Sequence, residues 1–238
     1  ATDWIDRIKA IKSAEEIALI RRACAMQDAQ WAAILPKIKP GMRDSELTAL
    51  AQYEGELLGS QQGLFRCSSA PLGEPAVLRG RHYQGRTMKQ GDYMTLLIEN
   101  NGPGGHYAEL ARTFVIGKAS QELRDAFAVV VDAQKHTVKN LKIGAKPAEI
   151  YASHNDYMKS RGAPPETRLF GHSQGYDLVE RPLLRDDETM PLAANMNMAV
   201  HPGFFKPTNF AFICDNFLIK DDGAVEHLHK SEQKIWEL

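Results

Sequence analysis

The chain has 238 residues, with 29 Lys and Arg against 30 Asp and Glu and a formal net charge of -1. That balance excludes a basic surface for nucleic acid or an anionic membrane, and no apolar run reaches the length of a bilayer span. The three scattered cysteines, Cys24, Cys67 and Cys214, read as free thiols in a reducing compartment. A soluble, cytoplasmic protein with one sizeable core is the expectation.

Residues 1–12 carry Arg7, Lys9 and Lys12 and read as a linker following an upstream domain, with the globular unit spanning 13–238. Ser13-Ala14-Glu15-Glu16 has the capping-box pattern, in which the Ser13 hydroxyl and the Glu16 carboxylate satisfy free amides of the first helical turn. A helix over 14–35 follows, with Ile17, Ile20, Ala23 and Met26 on one face. Lys39-Pro40-Gly41 ends it, and a second helix starts near Asp44. Strands are predicted over 93–98 and 106–116, joined by the turn-forming Asn100-Asn101-Gly102-Pro103-Gly104-Gly105. Helices return over 121–141 and 147–160, then strands over 196–201 and 209–219.

Helix, helix, strands therefore occurs twice. A shift of 103 residues places Ile38-Lys39-Pro40-Gly41 on Leu141-Lys142-Ile143-Gly144 and Glu46-Leu47 on Glu149-Ile150. The same shift lays the strand over 93–98 on that over 196–201. An internal duplication accounts for this. It predicts an α+β domain with pseudo-twofold helix-helix-strand halves around a curved antiparallel sheet, both halves facing one cleft.

Four clusters carry chemistry. They are Gly91–Leu97 with Gly105–Phe114, Gly171-His172-Ser173-Gln174-Gly175 with Glu180-Arg181-Pro182, Met198-Ala199-Val200-His201-Pro202-Gly203, and Ile213-Cys214-Asp215-Asn216. By period two, Tyr107 and Glu109 share a strand face and Arg112 points the other way unless a bulge intervenes. Arg112 then reads as an ion-pair partner or a substrate contact. The glycines around His172 let the backbone pass close to a ligand. Cys214 reads either as a small buried hydrophobe or as a nucleophile beside an imidazole.

In order and spacing these clusters resemble the signature segments of the creatinase and Xaa-Pro peptidase superfamily, the pita-bread metallopeptidases, from about Lys12 to the C-terminus. The resemblance implies two divalent ions held by Asp, Asp, His, Glu and Glu. On this chain those positions fall on Leu97 or Ile98, Glu109, His172, His201 and Cys214. An aliphatic side chain cannot coordinate, and two close ions need bridging carboxylates to offset their repulsion. A dinuclear site is therefore not expected. Glu109, His172, His201 and Cys214 remain competent ligands for a single Zn or Fe ion. A second imidazole of the family is also missing, because Val179 precedes Glu180.

The resemblance also implies a histidine upstream of the first ligand strand, a place that His82 fits, and imidazole can move protons near neutral pH. The leading expectation is a creatinase-like hydrolase without a cofactor, cleaving a C–N bond of a small nitrogenous metabolite. His82, Glu109, His172, His201 and Cys214 are its catalytic candidates, and Tyr107, Arg112 and Glu180 its substrate contacts. The alternatives are a peptidase-like enzyme with a single ion and an inactive peptide-binding or small-molecule-binding homologue. The family resemblance further implies a homodimer.

Overall fold

The computed structural model describes residues 2–238. Its helices are α1 (Thr2–Ala10), α2 (Ala14–Ile34), α3 (Asp44–Leu57), α4 (Gln121–Lys139) and α5 (Pro147–Ser160). Its strands are β1 (Gly63–Arg66), β2 (Ala70–Pro71), β3 (Asp92–Asn101), β4 (Tyr107–Val115), β5 (Gly171–Ser173), β6 (Glu180–Leu183), β7 (Asn197–Val200), β8 (Gly203–Lys206), β9 (Asn209–Phe212), β10 (Asp215–Ile219), β11 (Val225–His227) and β12 (Ile235–Glu237). Among these residues no helix is long and apolar enough to cross a membrane.

Local signals explain most boundaries. The capping box at α2 is formed: Glu16 N–H donates to Ser13 Oγ and Ser13 N–H donates to the Glu16 carboxylate. Pro147 opens α5 at a first-turn position, where its missing N–H costs nothing. The segment read as a linker forms helix α1, and Lys12 beyond it is buried. The predicted strand over 209–219 is two strands, β9 and β10, interrupted at Ile213 and Cys214.

The two halves repeat. Asp44–Leu57 and Pro147–Ser160 are both 14 residues long, and their ends differ by 103, the shift read from the sequence. One five-stranded sheet runs β1-β3-β4-β12 with β2 beside β3, a second runs β11-β10-β7-β5-β6, and β8 pairs with β9 in a two-stranded sheet. All pairings are antiparallel except β12 with β4. The sheets meet where β4 passes β10. There the Ala111 N–H donates to the Cys214 carbonyl at 3.1 Å and the Glu109 N–H donates to Asn216 Oδ1 at 2.8 Å. Arg112 Nη2 donates to Asp215 Oδ1 at 2.7 Å across the same seam.

Strand alternation sorts the side chains. On β3, Met94, Leu96 and Ile98 pack with Trp31, Ile34 and Leu47 of α2 and α3. Leu97 instead joins Ala111, Phe210, Phe212 and Cys214 on the opposite face. In the second half, Met198 and Val200 of β7 pack with Leu141 and Ile150. Every residue of β3 is buried, because helices cover one face of the strand and the other lines the cleft between the halves.

Candidate functional site

The cleft holds a cavity of about 780 Å³, within the range of small-molecule sites. Its floor is apolar, with Leu97, Phe210 and Phe212, and its polar groups include Glu99, Glu109, His172 and His201. Arg66 and Arg168 also line it, each with a half-exposed side chain. Leu97 lines the cavity and Ile98 belongs to the core behind the sheet, so of the two it is Leu97 that faces the site.

Three polar residues converge from both halves. Potential ligand atoms of Glu109, His172 and His201 all lie within 4.8 Å of one another. Glu109 comes from β4, His172 from β5, and His201 from the turn that follows β7. His172 Nε2 lies 3.1 Å from Glu109 Oε2. That approach is not aligned as a hydrogen bond, and the buried Oε2 has no hydrogen-bond partner. His201 is partly exposed as a residue, yet its Nε2 is buried and also unpartnered. Leaving a buried polar atom unpaired costs about 1–3 kcal/mol, so these two atoms mark a place where a further group belongs.

Electrostatics tie the three together. Burial opposes charge on Glu109, but the neighbouring imidazoles of His172 and His201 outweigh it and hold the carboxyl below its usual range. Burial likewise opposes charge on His172, yet Glu109 beside it raises the imidazole pKa overall. The Ser173 carbonyl can only accept, so the 2.9 Å contact places a proton on His172 Nδ1 and leaves Nε2 on the side of the ring near Glu109. Burial pushes His201 down to about 3, which keeps it neutral, the form in which imidazole coordinates a metal. Its ring sits edge-on to His172, with centroids 5.2 Å apart, and lies beside Phe212.

The other expected residues lie elsewhere. His82 is exposed on a short helical turn over Arg81–Tyr83 and does not line the cavity. Tyr107 is partly buried at the start of β4, outside the cavity lining. Arg112 points to the far side of the sheet, as period two predicts, and is spent on Asp215. Glu180 is buried against Lys12, whose Nζ donates to Oε2 at 2.6 Å, and it accepts from the Asp177 N–H. The cavity is lined instead by the neighbouring Val179.

The flanking glycines serve packing more than ligand approach. A Cβ at Gly171 meets Leu184 at 2.5 Å, and one at Gly175 meets Lys12 at 2.7 Å. Cys214 is fully buried in the apolar floor, outside the converging trio. Burial first, then the nearby Glu109 and Asp215, push its thiol well above the usual range. A thiol in that condition is a poor nucleophile.

Sequence reasoning missed Glu99, Glu166 and the two arginines. Glu166 holds the Arg168 guanidinium through both carboxylate oxygens and also accepts from the Gly203 N–H, and that guanidinium lies 5.3 Å over the Phe212 ring. Glu99 faces Glu109 across the β3–β4 ladder. Burial, then the Glu109 charge, raise its pKa. A period-two step from Leu97 was the one signal for Glu99; loop residues 164–169 carry no such pattern.

A profile described as metallopeptidase family M24 matches residues 18–221. The chain is 27% identical over 236 residues to the Xaa-Pro dipeptidase of Pyrococcus furiosus, covering 98% of this chain and 67% of that protein. It is 26% identical over 240 residues to an uncharacterized peptidase of Bacillus subtilis, covering 97% and 65%. Among solved structures, an X-Pro aminopeptidase from Thermotoga maritima superposes with a TM-score of 0.88 at 20% identity, over 100% of this chain and 67% of that one. A dipeptidase from Pyrococcus horikoshii gives 0.88 at 23% identity, over 100% and 66%. The chain thus spans about two thirds of the length of these relatives, and the structural neighbours agree with the pita-bread fold.

Proposed function

We propose, from the premise that the chain belongs to metallopeptidase family M24, that it is a hydrolase of an amide-type C–N bond in a dipeptide-sized substrate, with one divalent ion on Glu109, His172 and His201. The observation that carries this reading is the convergence of those three side chains, with the buried Oε2 of Glu109 and Nε2 of His201 both unpartnered. Two imidazole nitrogens and one carboxylate suit Zn or Fe(II). The residues do not fit a two-ion centre: Leu97 has no donor atom, and Cys214 lies outside the trio.

A divalent ion in that position supplies Lewis acidity toward a carbonyl oxygen. The chain's own residues do the rest. The Ser173 carbonyl fixes the His172 tautomer and ring orientation, as an outer partner of a metal ligand does. Asn216, accepting from the Glu109 N–H, pins the strand that carries the carboxylate. Phe210, Phe212 and Leu97 keep water from the floor. Arg66 and Arg168, half-exposed on the cavity wall, can receive a substrate carboxylate.

Stoichiometric Zn or Fe in the purified protein, with activity on Xaa-Pro dipeptides or related small amides lost in chelator and restored by the ion, supports this reading. A second reading rests on the Glu109–His172 pair. With its pKa raised by Glu109, His172 can serve as the proton donor of a creatinase-like, ion-free hydrolysis of a small nitrogenous metabolite. Full activity in chelator on such a substrate favours the second reading and refutes the first.

A further inference from the structure

One carboxylate in the cavity has no role in the reading above. Glu99 lies on β3, directly opposite Glu109 in the ladder, and shares the face of Leu97. Its neighbour Asn100 turns the other way and is engaged with Gln27 and Gln30. Glu99 is 9% exposed, and its buried Oε2 accepts no hydrogen bond. The ion pair it makes is with half-exposed Arg66, whose Nε stands 3.4 Å from Oε2.

Two like charges directly opposite on a ladder are unfavourable, so without an ion Glu99, buried beside Glu109, is the member of the pair that holds a proton. Two facing carboxyl groups, each with a buried oxygen that accepts no hydrogen bond, are an arrangement that a cation between them resolves. Charge balance points the same way. A divalent ion on Glu109 and two neutral imidazoles keeps a net positive charge above an apolar floor, where uncompensated charge is costly. One more carboxylate removes that excess and completes the four ligands that zinc prefers.

We propose that Glu99, whose oxygens stand outside the cluster of Glu109, His172 and His201 in the ion-free chain, turns towards an ion held there and supplies its fourth protein ligand. This rests on the one-ion reading, and the test separates the two. Zn²⁺ or Co²⁺ chloride is titrated calorimetrically into the chelator-treated chain and into Glu99→Gln. The wild type is expected to take up one ion per chain. Glu99→Gln is expected to bind about tenfold or more weakly, while the melting temperature of the ion-free protein holds because a neutral amide of the same shape replaces a protonated carboxyl.

Equal affinity in the two proteins overturns the role of Glu99 and leaves the three-residue site standing. Failure of the wild type to bind either ion overturns the three-residue site, and Glu99 with it. Arg66→Gln provides a second measurement at a half-exposed position that the fold tolerates. Removing that charge, 3.4 Å from Oε2, should tighten Zn²⁺ binding by about twofold or more. Unchanged affinity there also overturns the proposal.

Discussion

Replacing Asp215 by asparagine removes one charge from the seam between the two sheets and leaves its shape nearly intact. Arg112 and Asp215 side chains are both fully buried, 2.7 Å apart. Arg112 keeps hydrogen bonds to the carbonyls of Ala111, Cys214 and Ser231, so the loss is of charge compensation rather than of all partners. A second cost arises at Oδ2, which accepts from Gln134 Nε2 at 3.3 Å and Gln233 Nε2 at 2.8 Å. An asparagine amide group in that place presents donors to donors.

Breaking a buried pair by removing one partner costs about 3–5 kcal/mol. For a domain of this size that corresponds to a fall in melting temperature of about 10 °C. Urea unfolding followed by circular dichroism at pH 7 measures the loss. The double variant Arg112→Met with Asp215→Leu should recover the part due to the uncompensated charge, but not the part due to the Gln134 and Gln233 amides left without an acceptor. Acid should mimic the single variant. Burial opposes the Asp215 charge, but Arg112, then His227 and His229, hold its pKa far below the usual range. A depressed carboxyl contributes stability above its unfolded pKa of about 4 and loses it as pH falls through the folded value. A change of less than about 1 kcal/mol in Asp215→Asn refutes the reasoning that the seam depends on this charge.

Glu109→Gln or His201→Ala should each weaken Zn²⁺ binding by at least about tenfold in calorimetric titration, and undiminished affinity in both removes them from the site. Burial holds His154 down to about 4, where it stacks on Phe170 and bonds Thr137. Proton uptake therefore favours the unfolded chain, and stability falls as pH drops from about 6.5 towards 4. In His154→Phe that slope should flatten by one proton, and an unaltered slope in urea titrations across the window contradicts it. Lys12→Met removes the buried cation at 2.6 Å from Glu180 and leaves Lys9 at 3.8 Å, and should cost about 2–3 kcal/mol; a thermal melt within a degree of wild type is the adverse result. Cys214→Ala should retain hydrolysis, whereas Cys214→Ser buries a hydroxyl among Leu97, Phe210 and Phe212 and should lower stability by about 1–3 kcal/mol. Activity lost in both variants instead restores the thiol as a nucleophile.

Much of the scaffold was legible because it is local. The Ser13–Glu16 box and Pro147 are read within a turn, and the repeat shift was recoverable from matching positions in the two halves. Strand period two, unbroken by a bulge in β4, turns Arg112 away from the cleft, against its expected part as a substrate contact. What escaped depends on contacts distant in the chain. Glu180 is taken by Lys12, 168 residues earlier, and no local pattern announces that pairing. The segment from β2 to β3 has no periodicity to fix where His82 points. The break at Ile213 and Cys214 follows from the seam pairing with Ala111, which unbroken apolar sequence conceals. Glu99 stands one alternation beyond Leu97, the position that the family pattern marks, so the pattern does not reach it.

The meeting of β4 with β10 also bears on how the molecule comes apart. Glu109 belongs to the first repeat, while His172 and His201 belong to the second, so neither repeat alone holds a complete site. Any ligand gripping all three acts as a clasp, and its binding energy opposes separation of the repeats far more than fraying within either one. Cleaving the chain in the connection between β4 and α4, around Lys118, makes this measurable by fragment complementation. Two pieces that reassociate more tightly when the clasp is supplied would turn the ancient joint of a duplicated chain into a sensor of its own occupancy.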